Sequence, residues 1–212
     1  MMWKHALRGI LGASVAVALA SGIAFAGDKD ADKKADKNTP KMDAESQAMM
    51  AEMAKYAEPG PEHKVLDATV GKWKMVSKSW YAPGEPTISE GTSESQWILG
   101  GRFLLYKGNG SMMGQPFEGM EVIGYDRKAK EYTAYWIDNM GTAMYPMTNG
   151  KYDPATKTLT FKANWPNPMG QGTIPYTMTT KVLSNDSHVF TMSTVKDGKE
   201  WTEMEITYTR VQ

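Results

Sequence analysis

Three acidic side chains and one guanidinium carry most of the chemistry this sequence offers. Glu118 and Glu121 flank Gly119-Met120, Asp138 ends a segment made of aromatics, and Arg102 follows Gly100-Gly101. Alternation places Phe117, Gly119, Glu121, Ile123 and Tyr125 on one face, so Glu121 enters a largely apolar interior unless the strand reverses that face. A buried acid must be paired or protonated, because an unpaired buried charge is costly. Arg102 is the expected partner. The trio Arg102, Glu121 and Asp138 would then read a carboxylate or hydroxyl of a small ligand. It would equally serve as a buried ion pair that holds strand register without touching ligand. Alternatively, Glu121 or Asp138 with its pKa raised by burial would act as a general acid or base, as in a hydrolase or isomerase.

Other chemistries are thinly supported. The chain has no Cys, which removes thiol catalysis, and beyond the first residues its histidines are His63 and His188. His188 opens a strand in Asn185-Asp186-Ser187-His188 and reads as a surface imidazole, whereas His63 precedes the first strand, where it either does chemistry or caps the short helix of KVLDATV. Neither shows the paired spacing of a zinc site, so no metal and no cofactor is expected. Met49, Met50 and Met53 would supply thioethers to Cu(I), but a hydrophobic helix face explains their spacing as well.

Aromatic and methionine residues suggest a pocket wall. Trp97, Tyr106, Phe117, Tyr135, Trp136 and Trp165 lie in candidate strands, and Met112, Met113, Met140, Met144, Met147 and Met169 lie in or beside Gly- and Pro-containing loops. Flexible, polarisable thioethers around a mouth would adapt to varied apolar ligands, or would only fill the core and seal its ends.

These side chains need a scaffold. After Pro61 the sequence turns to short period-two segments with turn residues about every 8–12 positions, the pattern of an all-β sandwich or barrel. Strands are expected at about 72–81, 88–98, 102–109, 117–125, 131–138, 142–151, 158–164, 173–183, 188–195 and 200–210, with Asp197-Gly198 a strong hairpin signal. Ten strands joined by short turns form an antiparallel meander, which hides its edges best when closed into a barrel. Such a barrel is wider than the roughly eight strands that side chains alone fill, which favours an internal cavity. Tyr132, Ala134 and Trp136 oppose Thr133, Tyr135 and Ile137, so that strand is apolar on both faces and needs an outer cover. The run Met42 to Tyr56 puts Met42, Met49, Met53 and Tyr56 on one helical face, and the helix over 42–58 is the candidate cover.

The first 41 residues read as processing and tether. Lys4 and Arg8 precede an uncharged apolar run from Gly9 to Phe25, and Ala24-Phe25-Ala26 offers small residues for cleavage, so residues 1–26 are expected to be a signal peptide of an exported protein, periplasmic or secreted. Residues 27–41 are nearly all charged or small and are expected to form a disordered leader, leaving 59–212 for the barrel domain. Cleavage would remove two basic groups, leaving 22 basic against 24 acidic side chains. That balance disfavours nucleic acid as a partner. No membrane span is expected after cleavage, and a monomer or homodimer is expected.

The segments GPEHKVLDATVGKW from Gly60, ILGGRFLLYKGNGSMMGQPFEGMEVIGYDRKAKEYTAYWID from Ile98 and NGKYDPATKTL from Asn149 together resemble the bacterial family known as domain of unknown function 1579. In that family EH, GxW, LGGRF, G-x-PF-x-G, GYD, W-x-D and G-x-YD recur in this order. The resemblance covers about 60–165 well and the remaining strands loosely. It implies a lipocalin-like barrel of unassigned function, so no catalytic residue carries over from it. In lipocalin-like barrels the Trp of G-x-W plugs the closed end under a basic residue from the last strand. Here Trp73 and Arg210 hold those places, with Arg210 as a solvated terminal charge the alternative, and His63 joins them as a structural residue of the base. An Arg–Trp stack contributes about 0.5–2 kcal/mol. The expected function is binding of a small, largely apolar molecule inside the barrel, with Arg102, Glu121 and Asp138 as polar anchors among Trp97, Tyr106, Phe117, Tyr135, Trp136 and Met144.

Overall fold

A computed structural model describes residues 42–212, so the expected signal peptide at 1–26 and leader at 27–41 lie outside the described residues. Ten antiparallel strands follow an α-helix and a short 3-10 helix. They are β1 (Gly71–Ser79), β2 (Thr87–Ile98), β3 (Phe103–Met112), β4 (Gln115–Asp126) and β5 (Glu131–Asp138), then β6 (Tyr145–Asp153), β7 (Thr158–Pro166), β8 (Thr173–Ser184), β9 (Ser187–Lys196) and β10 (Lys199–Arg210). Each pairs with its neighbour in sequence, and β1 closes on β10 with Trp73 opposite Arg210 and Met75 opposite Tyr208. Closure leaves no unpaired edge.

Turn chemistry explains why the meander is tight. Asp197 and Gly198 have φ of 51° and 74°, the pair of left-handed residues that a two-residue hairpin matching strand twist requires. Met113 and Gly114 do the same at 50° and 78°, so β3 and β4 run on into what reads from sequence as a loop. Leu99, Gly100 and Gly101 are also left-handed and fold the chain sharply between β2 and β3.

One end of the barrel is closed. The 3-10 helix His63–Thr69 lies across it, donating the buried Leu66 to a core with Leu104, Ile123, Tyr132, Leu159 and Phe161. Trp73 is 1% exposed beneath Arg210, whose guanidinium carbon is 4.1 Å from the indole centroid. Arg210 donates to the carbonyls of Val70 (2.8 Å), Ala68 (3.4 Å) and Asn185 (2.8 Å), so the guanidinium ties three loop carbonyls over the plug.

The helix α1 (Ala44–Ala57) starts at Asp43, whose carboxylate accepts from the Ser46 amide at 2.7 Å. It has no buried residue, and Met49 and Met53 are each about three-fifths exposed. It therefore does not cover β5, and Tyr135 stands 51% exposed. The helix is anchored near its end, where Arg127 donates to the carbonyls of Lys55 and Glu58. Among the described residues, no helix is long and apolar enough to cross a membrane.

Candidate functional site

A cavity of about 330 Å³ opens above the packed base. Its space comes from side-chain size. Inward positions on β1, β2 and β3 carry Ser77, Ser79, Ser89, Gly91, Ser95 and Gly108, whereas β4 to β10 contribute Phe117, Trp136, Phe161, Met178, Phe190 and Tyr208. A barrel wide enough to hold more than its own side chains, lined on one side by small ones, cannot close up solid.

A belt of residues crosses the wall at one level. Register pairs Ser95 with Tyr106, Tyr106 with Glu121 and Glu121 with Trp136, so these four side chains share the inward face. Glycines make room for the rings: a side chain at Gly108 would meet the Tyr106 hydroxyl, and one at Gly119 would overlap the Trp136 indole. Trp136 lies nearly parallel to Phe117, with ring planes 18° apart and centroids 6.2 Å apart. Its Nε1 donates to Asp138 Oδ2 at 2.7 Å, and the other Asp138 oxygen accepts from the Met140 amide at 3.0 Å. Asp138 is thus consumed by its own turn at the end of β5.

Glu121 is different. It makes no hydrogen bond and no ion pair among the described residues, and burial pushes its carboxyl up to about 7 from 4.5. Across the wall the Tyr106 hydroxyl lies 3.0 Å from Met75 Sδ and 3.3 Å from the Tyr208 hydroxyl. Burial, and secondarily Tyr106 and Glu121, holds the Tyr208 hydroxyl well above its ordinary range. The expected pairing of Arg102 with Glu121 does not exist. Arg102 bonds Glu58 at 3.0 Å and the Leu99 carbonyl at 3.2 Å on the outside of the closed end. Tyr106 is the register partner of Glu121, and Arg102 lies four residues nearer the base, about 13 Å along the strand.

The remaining expected site residues divide by geometry. Tyr106, Phe117, Glu121, Trp136 and Asp138 line the cavity, while Trp97, Tyr135 and Met144 do not. Tyr135 follows from alternation itself, since Trp136 faces inward and its neighbour must face out. Met144 is 65% exposed in the β5–β6 loop. Trp97 points inward but at the closed end, where its Nε1 donates to Asp67 of the 3-10 helix at 2.8 Å. His63 is buried there too, its Nδ1 accepting from the Gly60 amide at 3.0 Å.

His188 overturns its surface reading. It is 5% exposed and lines the cavity, stacked on Tyr208 at 4.2 Å and 11° with the edge of Trp73 at 4.4 Å. Its Nδ1 has no hydrogen-bond partner among the described residues. Burial, aided by the Arg210 charge, lowers it to about 4, so it is neutral at ordinary pH. The register of His188 with Tyr208 and of Tyr208 with Met75 places it, and that register is set by closure rather than by local sequence. The small inward residues of β2 were missed as well, although Ser89, Gly91, Ser93 and Ser95 at period two are a readable signal of unfilled interior. Among the described residues no three His, Asp or Glu side chains converge as a metal site would need.

A closed ten-stranded meander with an Arg-over-Trp base and an interior cavity defines a lipocalin-like β-barrel. The chain belongs to the family described as Protein of unknown function (DUF1579), matched over residues 58–210. Among solved structures it is similar to the crystal structure of Rv2717c from M. tuberculosis, at 12% identity and a TM-score of 0.56, covering 73% of this chain and 100% of that one. It is also similar to the S-type phycobiliprotein lyase CPES from Guillardia theta, at 9% identity and a TM-score of 0.49, covering 71% and 93%. At such identities the first likeness speaks to the fold alone, and the second carries no argument. No curated protein matches the chain.

Proposed function

We propose that this protein is an exported barrel that binds a small, largely apolar molecule in its interior. The observation that carries the reading is the 330 Å³ cavity, whose wall is aromatic and aliphatic on one side and small Ser and Gly on the other, with Glu121 on it unpaired among the described residues. Pockets of this size with few polar groups suit drug-sized apolar ligands. Export is supported by the basic start, apolar run and Ala24-Phe25-Ala26 of the first 26 residues. Native mass spectrometry of the purified protein, with quenching of Trp fluorescence across a lipid and aromatic panel, tests the reading. A bound mass, or saturable quenching that is lost when Ser77→Leu narrows the cavity, is expected. Absence of both would overturn it.

Glu121 favours a second reading, that of an enzyme. An unpaired acid held near neutrality beside a concave aromatic wall has the attributes of a general acid or base. Turnover of a bound compound that disappears in Glu121→Gln while binding persists would support it.

A further inference from the structure

We infer that the ligand carries a protonated amine, and that Glu121 is the group that reads it. This inference rests on the binding reading above and narrows it to a chemical class.

Among the charged side chains that line the cavity, the acids Glu90, Glu121 and Asp138 stand against one basic group, Lys157. Glu121 projects from mid-β4 and, among the described residues, forms no ion pair with a cation. The basic groups stand elsewhere: Arg102 on the outer side of the base and Arg210 over Trp73. Lys157 reaches the cavity margin from an exposed turn between β6 and β7. From the elements packed around Glu121, Tyr106 on β3 and Tyr208 on β10 present hydroxyls that stay protonated, His188 on β9 stays neutral, and Asp138 on β5 adds a second carboxylate nearer the mouth. A fatty acid entering this space would set its carboxylate against Glu121, a pairing that is repulsive unless one of the two carboxyls holds a proton. An alcohol would accept or donate one hydrogen bond. An alkylamine, with or without an aryl group further along its chain, would supply the missing countercharge, and the ring faces of Tyr106, Phe117 and Trp136 around the acid attract a cation further. The apolar remainder of the molecule would lie against the Met and Phe wall above the base.

The binding should therefore be proton-linked. An alkylamine stays charged from acid to mildly alkaline pH, so its affinity follows deprotonation of Glu121 and rises through neutrality. A carboxylate ligand must show the opposite trend, and an alcohol little trend.

Titration calorimetry of decylamine, decanol and decanoate against the wild-type chain and Glu121→Gln, at mildly acid and mildly alkaline pH, tests this. The expected result at alkaline pH is an affinity order of amine, alcohol, carboxylate, with the amine ahead of the alcohol by about tenfold or more. That lead should shrink at acid pH, vanish in Glu121→Gln and survive in part in Glu121→Asp. Decanol binding by Glu121→Gln reports that the variant is folded. If that variant fails to fold, the wild-type order and its pH trend decide alone. Equal affinities, a preference for decanoate, or an amine preference retained by Glu121→Gln would overturn the amine inference while leaving the binding reading standing. Failure of all three to bind would overturn both.

Discussion

Tyr106 and Glu121 are direct register partners across β3 and β4, and both side chains face the cavity, so a phenol rather than a guanidinium stands at the level of the acid. A phenol does not offset a buried negative charge as a cation would. Burial therefore acts on Glu121 unopposed and holds its carboxyl near 7. The interior is electrostatically unfinished at this point, and most of the functional argument follows from that.

The first consequence is a stability penalty above neutral pH. The Glu121 carboxyl holds its proton more tightly folded than unfolded, so its contribution is full below about pH 4.5 and is lost as pH rises through about 7. Urea denaturation should show Glu121→Gln more stable than wild type at alkaline pH by up to about 3 kcal/mol, with little difference near pH 4.

His188 has the opposite sign. Its imidazole takes a proton less readily folded than unfolded, so its contribution is full above about pH 6.5 and is lost as pH falls toward about 4. Over the shared window between about pH 4.5 and 6.5 the slopes of these two groups oppose and nearly cancel, leaving the smaller rise with pH that burial of His63 contributes. Glu121→Gln should unmask a rise with pH in that window, and His188→Phe, which keeps the stack on Tyr208, should unmask a fall. Parallel curves for the two variants would contradict the assignment.

Arg210 should matter through its carbonyl partners as well as its stack. Arg210→Ala removes the cation over Trp73 and leaves the Val70, Ala68 and Asn185 carbonyls without their donor. A loss of about 2–4 kcal/mol in urea midpoint analysis is expected, with Arg210→Lys recovering less than half because an ammonium cannot reach three carbonyls in one plane.

Gly119→Ala should displace the Trp136 ring, which occupies the space a side chain there would need. A destabilisation of about 1–3 kcal/mol is expected. Loss of near-UV circular dichroism from Trp136 and weaker ligand quenching should accompany it, since the ring forms part of the cavity wall.

Removing residues 42–57 should change stability by less than about 1 kcal/mol, because the helix buries no side chain and Glu58 remains to pair with Arg102. Thermal unfolding of the shortened chain beside the full one checks this.

The number of strands, their order and their turns were legible in the sequence because they are local. Period-two alternation selects the face of each residue, and pairs such as Asp197-Gly198 select the hairpins, without reference to distant segments. The family pattern added the Trp73–Arg210 base in the same linear way. What alternation does not specify is depth along the barrel or what lies across it. Arg102 sits in the turn that opens β3 and Glu121 in the middle of β4, at different heights, so the expected pair never meets. His188 reads as a surface residue until β10 closes on β1 and sets Tyr208 and Trp73 against it. Tertiary closure alone decided that Glu121 stands unpaired before an open interior, because a charge is neutralised by what is near it in space and not by what is near it in the chain.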